Sequence, residues 1–291
     1  MTARRAGRSA LLLFFARAHE IVFECDLPRI RWSADDERLC MPEEPFIIEF
    51  EPARQGAMAQ LTTRTALMSA YGNASVLVTS SNQFSQNEEA LSLREYIDSL
   101  SCPVVSQRAD ENRYLFGGNE AAFESLLRNY IRPPGAYCDD DDTAAIAFGV
   151  GGERSGVSWH MHGAGYSEVL HGRKTWLVAD SWPEGSDSPN TSTFEWIQRH
   201  AHTEVRQLAA ATSSRSTSRR NVRVCTLEPG EALAFPAGKP HATVNVDDFN
   251  VFVSTFLREP DDIDPRFSAS HCQDPRHRLD WRRSAQLAAV D

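Results

Sequence analysis

The sequence predicts a mainly β protein, an antiparallel barrel or sandwich with helices gathered around it. Three observations carry that prediction. Between Ala144 and Leu257 the apolar residues fall into runs of strand length, separated by turns built on Gly and Pro. Helix-length patterns are confined to the front of the chain and to one later segment. The 291 residues are 41% hydrophobic and include 15 Phe and 6 Trp, a globular composition with ample chain to bury a core in one large domain or two small ones.

Taken in order, residues 1–40 read as a leader and N-terminal extension. Arginines at positions 4, 5 and 8 precede the short apolar run Ala10 to Ala16, and Ala16-Arg17-Ala18 has the small-x-small form of a signal-peptidase site. A signal peptide over residues 1–18, an organelle transit peptide and an ordinary first helix are all compatible with these letters. Helices are predicted over Thr65 to Tyr71, Leu93 to Leu100 and Glu120 to Tyr130. Pro133-Pro134-Gly135 and the acidic run Asp139 to Asp142 form a solvated loop. Strands are then predicted over Ala144 to Val150, Val157 to His162, Tyr166 to Leu170 and Lys174 to Ala179, with His171-Gly172 as a tight turn. A helix over Thr193 to Ala201 and a polar loop from Ala209 to Arg220 interrupt them. Further strands follow at Val222 to Leu227, Ala232 to Phe235, His241 to Val246 and Phe249 to Leu257. The folded domain is thus placed at 41–258 and a polar tail, with one helix around Arg276 to Leu287, at 259–291.

Charge and cysteine usage bound the function. A net charge of −10 excludes the basic face that nucleic-acid binding needs. No stretch approaches the roughly 20 apolar residues of an integral membrane helix. Six cysteines at 25, 40, 102, 138, 225 and 272 contain no C-x-x-C pair, so neither a zinc knuckle nor a thioredoxin-like site is indicated. An even count suits disulfides or buried thiols equally. Only Lys174 and Lys239 are lysines, against 28 arginines. Asn73-Ala74-Ser75 and Asn190-Thr191-Ser192 are glycan acceptors if the chain enters the secretory lumen.

The chemistry lies in the strands. His160 and His162 are one residue apart, and a period of two points both side chains to one face, about 6–7 Å apart at Cα and close enough to share a metal. Alone, such a pair also describes two histidines on a solvent face. A second element changes the balance. Gly230, Pro236, Gly238, His241 and Asn245 stand in the spacing G-x5-P-x-G-x2-H-x3-N, which resembles the second cupin motif at every fixed position. Its Pro and Gly make a tight turn that swings His241 toward the barrel mouth, giving a facial three-ligand site with open positions.

The stretch Ser155 to Val169, the triplet Gly172-Arg173-Lys174, the upstream Tyr114-Leu115-Phe116-Gly117-Gly118-Asn119 and the closing Val251 to Leu257 fit one family. Together with the cupin spacing they resemble a Jumonji-C (JmjC) domain over roughly Pro45 to Leu257. The resemblance implies a double-stranded β-helix, a jelly roll of the cupin superfamily, with peripheral N-terminal helices. It implies Fe(II) held by His160, His162 and His241, and 2-oxoglutarate whose distal carboxylate meets Lys174. A flexible ammonium stem suits a carboxylate inside a barrel better than a bulkier guanidinium. Asn245, Tyr166 and Trp176 are expected to shape and line the co-substrate pocket, while Lys239 is read as an exposed turn residue.

Two departures bear on activity. JmjC enzymes mostly carry an acid where this chain has His162, and three histidines suit Zn(II) as well as Fe(II). Val157 stands where many members place Thr or Ser, removing a co-substrate contact worth roughly 1–2 kcal/mol. Three readings follow: an Fe(II)/2-oxoglutarate-dependent hydroxylase or demethylase of a protein side chain; a non-catalytic JmjC-fold binding or regulatory protein of the endoplasmic reticulum lumen; and a cupin enzyme without 2-oxoglutarate, in which Glu168 supplies a fourth ligand. Each implies a protein substrate or partner, in the secretory pathway or, alternatively, in the cytoplasm or an organelle.

Overall fold

A computed structural model of the chain describes residues 21–23, 25–32, 44–51, 54–81, 88–100, 113–131, 144–188, 190–200 and 222–257. The leader at 1–18, the acidic run, the polar loop at 209–220 and the tail at 259–291 lie outside the described residues.

Among the described residues twelve strands and five helices follow one another as β1 (Arg29–Arg31), β2 (Phe46–Glu49), α1 (Gly56–Leu61), α2 (Arg64–Tyr71), β3 (Ser75–Ser80), β4 (Glu89–Ser92), α3 (Leu93–Ser99), β5 (Arg113–Phe116), α4 (Glu120–Leu127), β6 (Ala144–Gly151), β7 (Gly165–His171), β8 (Lys174–Ala179), α5 (Thr193–His200), β9 (Val222–Leu227), β10 (Glu231–Phe235), β11 (His241–Asn245) and β12 (Asn250–Leu257). Nine strands form one sheet in the order β1-β2-β10-β7-β12-β6-β5-β3-β4, and three form a second, β11-β8-β9. Apart from the parallel pair β1 and β2, the ladders are antiparallel. The two sheets face each other as a jelly roll. Ile47, Val169, Leu233 and Phe235 from the large sheet pack against Trp176, Val178, Cys225 and Leu227 from the small one.

The helices cover the outsides. Packed on the large sheet are Met58, Leu67, Leu93, Tyr96, Ile97, Phe123 and Leu126 of α1 to α4, against Phe148 and Val150 of β6. Phe194, Trp196 and Ile197 of α5 meet Leu177, Val224, Ala242 and Val244 on the outer face of the small sheet. Ser92 starts α3 with a reciprocal capping box to Glu95.

Residues 21–23 and 25–32 lead from one sheet to the other. Phe23 and Thr226 exchange hydrogen bonds, Asp26 N–H donates to the Val224 carbonyl, and the Asp26 carboxylate accepts from Val224 N–H. The chain then joins the large sheet as β1. A Cys25–Cys225 disulfide, 200 residues apart in sequence, sits at the crossing. Spacing alone could not select that pair from six cysteines.

Two glycines in β6 have steric work to do. A Cβ on Gly149 would lie 2.0 Å from the Phe252 ring, and one on Gly151 would lie 2.2 Å from Asn245 Nδ2. Both neighbours border the interior site described below.

Val157 to His162 departs from the predicted strand. Thr243 N–H donates to the Val157 carbonyl, while His241, two residues earlier, bridges to His160, three residues later. The register therefore slips by one between them, and the segment runs beside β11 without forming a regular ladder.

Candidate metal centre and co-substrate pocket

β11 and β8 set the geometry. His241 stands opposite Val178, Thr243 opposite Trp176 and Asn245 opposite Lys174. Strand alternation turns His241, Thr243 and Asn245 to the barrel interior together with Lys174 and Trp176. The apolar residues between them, Ala242, Val244 and Leu177, face α5.

At the mouth end, His160, His162 and His241 each offer a ring nitrogen, and these atoms lie within 4.8 Å of one another. Every ring is oriented by a backbone carbonyl at 2.8 Å: His160 Nδ1 on Ser158, His162 Nδ1 on Gly163 and His241 Nδ1 on Lys239. These carbonyls require Nδ1 to carry the proton, which leaves Nε2 as a lone-pair donor on all three rings. Nε2 of His241 and Nε2 of His162 then lie 3.1 Å apart with no proton between them. Two such lone pairs repel, and a cation between them removes the repulsion. Burial, followed by the His162 and Lys174 charges, pushes His160 down to about 3. Burial also lowers His162, and burial with its two imidazole neighbours holds His241 well below its usual value. The rings are kept in the neutral form a metal requires. The donor set fits a divalent first-row metal, with His160 and His162 partly exposed on the open side.

The Lys174 end is dry. Lys174 is 2% exposed. Its Nζ donates to Tyr114 Oη at 2.8 Å and lies 3.3 Å from the centre of the Phe252 ring. Among the described residues no carboxylate faces it, and burial alone holds its ammonium well below the usual lysine range. Asn245, directly across the ladder, donates to Ser155 Oγ at 3.0 Å, and its buried Oδ1 has no hydrogen-bond partner.

An aromatic slot joins the two ends. The Trp176 ring is 5.9 Å from Lys174 Nζ and 5.7 Å from the His241 ring, and it stacks on Phe235 at 5.6 Å. Along β12, Phe252 lies at the lysine and Phe256 lies 5.1 Å from His162. Between them, Ser254 Oγ meets Ser167 Oγ at 3.0 Å. Tyr114, Phe252, Phe256 and the serine pair lie in stretches that the sequence reading matched to the family, but it gave them no role in the site, because sheet order is what brings them in.

The chain has relatives by sequence. Over 199 residues it is 34% identical to JmjC domain-containing protein 8 of Homo sapiens, covering 68% of this chain and 70% of that protein. The Mus musculus protein of the same name is 33% identical over 199 residues, 68% of each chain. The chain belongs to the JmjC domain-containing protein 8 family. No protein-family model matches the sequence.

Within this JmjC domain the other expected site residues fall as follows. Trp176 and Asn245 stand in the slot beside Lys174. Tyr166 does not: it packs with Phe46, Ile48, Phe50, Ala232 and Ala234 on the opposite face of β7. Ser167 and Val169 take the inward positions. Glu168 shares the Tyr166 face, where Arg54 Nη1 at 2.9 Å, Tyr130 Oη at 2.8 Å and Gln55 Nε2 at 3.2 Å donate to its carboxylate. Among the described residues the group of converging ligands contains no carboxylate, so Glu168 is no fourth ligand. The Val157 backbone N–H donates to Thr243 Oγ1 and its carbonyl accepts from Thr193. Lys239 is only partly exposed and pairs with Asp180. Asn73 and Asn190 are both exposed.

Proposed function

We propose that this JmjC protein is an Fe(II)- and 2-oxoglutarate-dependent oxygenase acting on a protein side chain. The observation that carries the reading is Lys174: a buried amine facing no carboxylate among the described residues, at one end of a row of aromatic rings whose other end is three converging imidazoles. Three neutral ligands leave a divalent metal its full charge, and a carboxylate arriving at the far end favours protonation of the lysine there. A short dianion satisfies both in one step, its distal carboxylate replacing the water that Lys174 has lost. Tyr114 orients the ammonium, Asn245 brings an acceptor to the same end, and Phe252, Phe256 and Trp176 exclude water along the slot. Bound iron and 2-oxoglutarate supply the oxidising chemistry that modifies an otherwise unreactive C–H bond. The partly exposed rims of His160 and His162 leave the open side to a substrate too large to enter the barrel.

The Cys25–Cys225 disulfide and the exposed sequons at Asn73 and Asn190 support a secretory-lumen location, where disulfides persist and glycans are added. Among the described residues no helix is long and apolar enough to cross a membrane.

The test is anaerobic titration of the Fe(II) protein with 2-oxoglutarate, followed by absorbance, beside Lys174→Ala. Binding in the parent and its loss in the variant are expected, with succinate formed once oxygen is admitted. His162 in the acidic position and Val157 in the Thr/Ser position favour a second reading, a non-catalytic binding protein of the lumen. Metal-loaded protein that neither binds nor consumes 2-oxoglutarate would establish that alternative.

A further inference from the structure

The turn between β10 and β11, Pro236 to Pro240, bonds to His162 and His241 directly and reaches His160 through His241. Gly238 N–H donates to the His162 carbonyl at 3.2 Å, and the Lys239 carbonyl accepts His241 Nδ1–H at 2.8 Å. His241 in turn exchanges both backbone hydrogen bonds with His160, at 2.8 and 2.9 Å. Gly238 takes φ +72, open to glycine at little cost, and Pro240 restricts the residue before it. The position of this turn therefore sets where three Nε2 atoms meet.

The side chain of Lys239 is tied into a closed ring of charges. Its Nζ lies 2.7 Å from Asp180 and 3.8 Å from Glu44, and Arg223 Nη2 lies 2.7 Å from Glu44 and 3.5 Å from Asp180. Four separate segments meet here: the stretch before β2, the end of β8, the start of β9 and the ligand-bearing turn. The backbone adds one tie, Ala179 N–H to the Pro240 carbonyl at 2.8 Å. An isolated exposed ion pair does little, but a ring that joins four segments restrains each against the others.

We propose that Lys239, with Asp180, Glu44 and Arg223, is a positioning clamp for the metal centre: it fixes the turn, and through the Lys239 carbonyl the orientation of His241. This rests on the metal-centre part of the reading above and is independent of whether the bound metal performs oxygen chemistry. None of the four residues touches the metal. Each acts through the geometry of the imidazoles.

The measurement is Zn(II) and Co(II) affinity of the full chain by chelator competition, for the parent, Lys239→Met, Lys239→Arg and Asp180→Asn. Removing a residue that directly holds a metal ligand costs about 10- to 100-fold in affinity. One bond further out, Lys239→Met and Asp180→Asn are expected to lose about three- to tenfold, with an altered Co(II) visible spectrum. Lys239→Arg should restore both. Raising salt to about 0.5 M should weaken the parent toward the Met variant and leave that variant unmoved, because the clamp is only partly buried. Parent-like affinity and spectrum in both Lys239→Met and Asp180→Asn would overturn the clamp, as would a loss that follows thermal stability and that arginine does not rescue. A parent that binds neither ion at these histidines would instead remove the metal centre, and the clamp with it. Asp180→Asn decides the matter if Lys239→Met fails to fold.

Discussion

Replacing Lys174 by methionine should stabilise the fold while abolishing its carboxylate anchor. The lysine is 2% exposed and donates to a single hydroxyl, that of Tyr114. A buried polar group short of partners costs about 1–3 kcal/mol, and methionine fills a similar volume without one. The Phe252 ring at 3.3 Å returns part of the cost through its quadrupole, so a net gain of about 1–2 kcal/mol is expected. For a domain of this size that raises Tm by about 2–4 °C per kcal/mol. The pH dependence has a definite sign. Burial keeps the folded amine neutral at pH values where an unfolded lysine, near 10.5, is still protonated. The unfolded state binds more protons there, so parent stability rises with pH toward 10.5, and Lys174→Met should lack that rise. Urea unfolding of chelator-treated protein at pH 7 and 9.5 measures both effects, and a 2-oxoglutarate titration of the Fe(II) form measures the lost anchor. A variant less stable than the parent at pH 7, or one with the same pH slope, would show that the ammonium is charged and well paired in the fold.

Other perturbations separate architecture from site. Cys25→Ser removes a crosslink spanning 200 residues, for which chain entropy predicts a loss of about 5 kcal/mol; the urea midpoint should fall as far in the variant as in reduced parent, and an unmoved midpoint would count against the bond. Glu168→Gln leaves Arg54 buried without its counter-charge and should cost about 3–5 kcal/mol, yet metal affinity should be unchanged, since its carboxylate faces away from the histidines. Metal-free protein should lose stability as pH falls below about 6.5, because unfolded imidazoles take up protons that His160 and His241 refuse until far lower; circular-dichroism melts from pH 7.5 to 5 read this out, and saturating Zn(II) should raise the whole curve.

The sequence revealed the parts of the fold whose signals are local. Lys174 to Ala179 and Val222 to Leu227 have the predicted bounds, since apolar runs between turn residues define both. The histidines were legible from the H-x-H pair and from a fixed spacing that reports a fixed turn, whereas Lys174 was singled out by the family resemblance. Tyr166 was misplaced for a physical reason: β7 is buried on both faces, so no polar alternation tells which residues point inward. Tyr114 sits 60 residues before Lys174, and β5 reaches the slot only through its pairing with β6. The strands β1, β2, β4 and β5, three or four residues each, carry too few residues for a periodic signal. The histidine segment read as a strand because its alternation is real, and only the slip against β11 prevents a ladder.

The place of β12 has a consequence for how the protein is made. It is hydrogen-bonded on one side to β6 and on the other to β7, near the middle of the nine-stranded sheet. A ribosome releases β6 about a hundred residues, and β7 about eighty, before it releases the strand that joins them. Until then two long apolar edges stand open, and Phe252 and Phe256 are missing from the slot. The barrel must close late and in one step, through contacts distant in sequence, which makes for slow folding and exposes sticky intermediates. A nascent chain halted before residue 250 would hold His160, His162 and His241 yet lack Phe256 beside His162, and it would offer its open edges to chaperones or to other copies of itself.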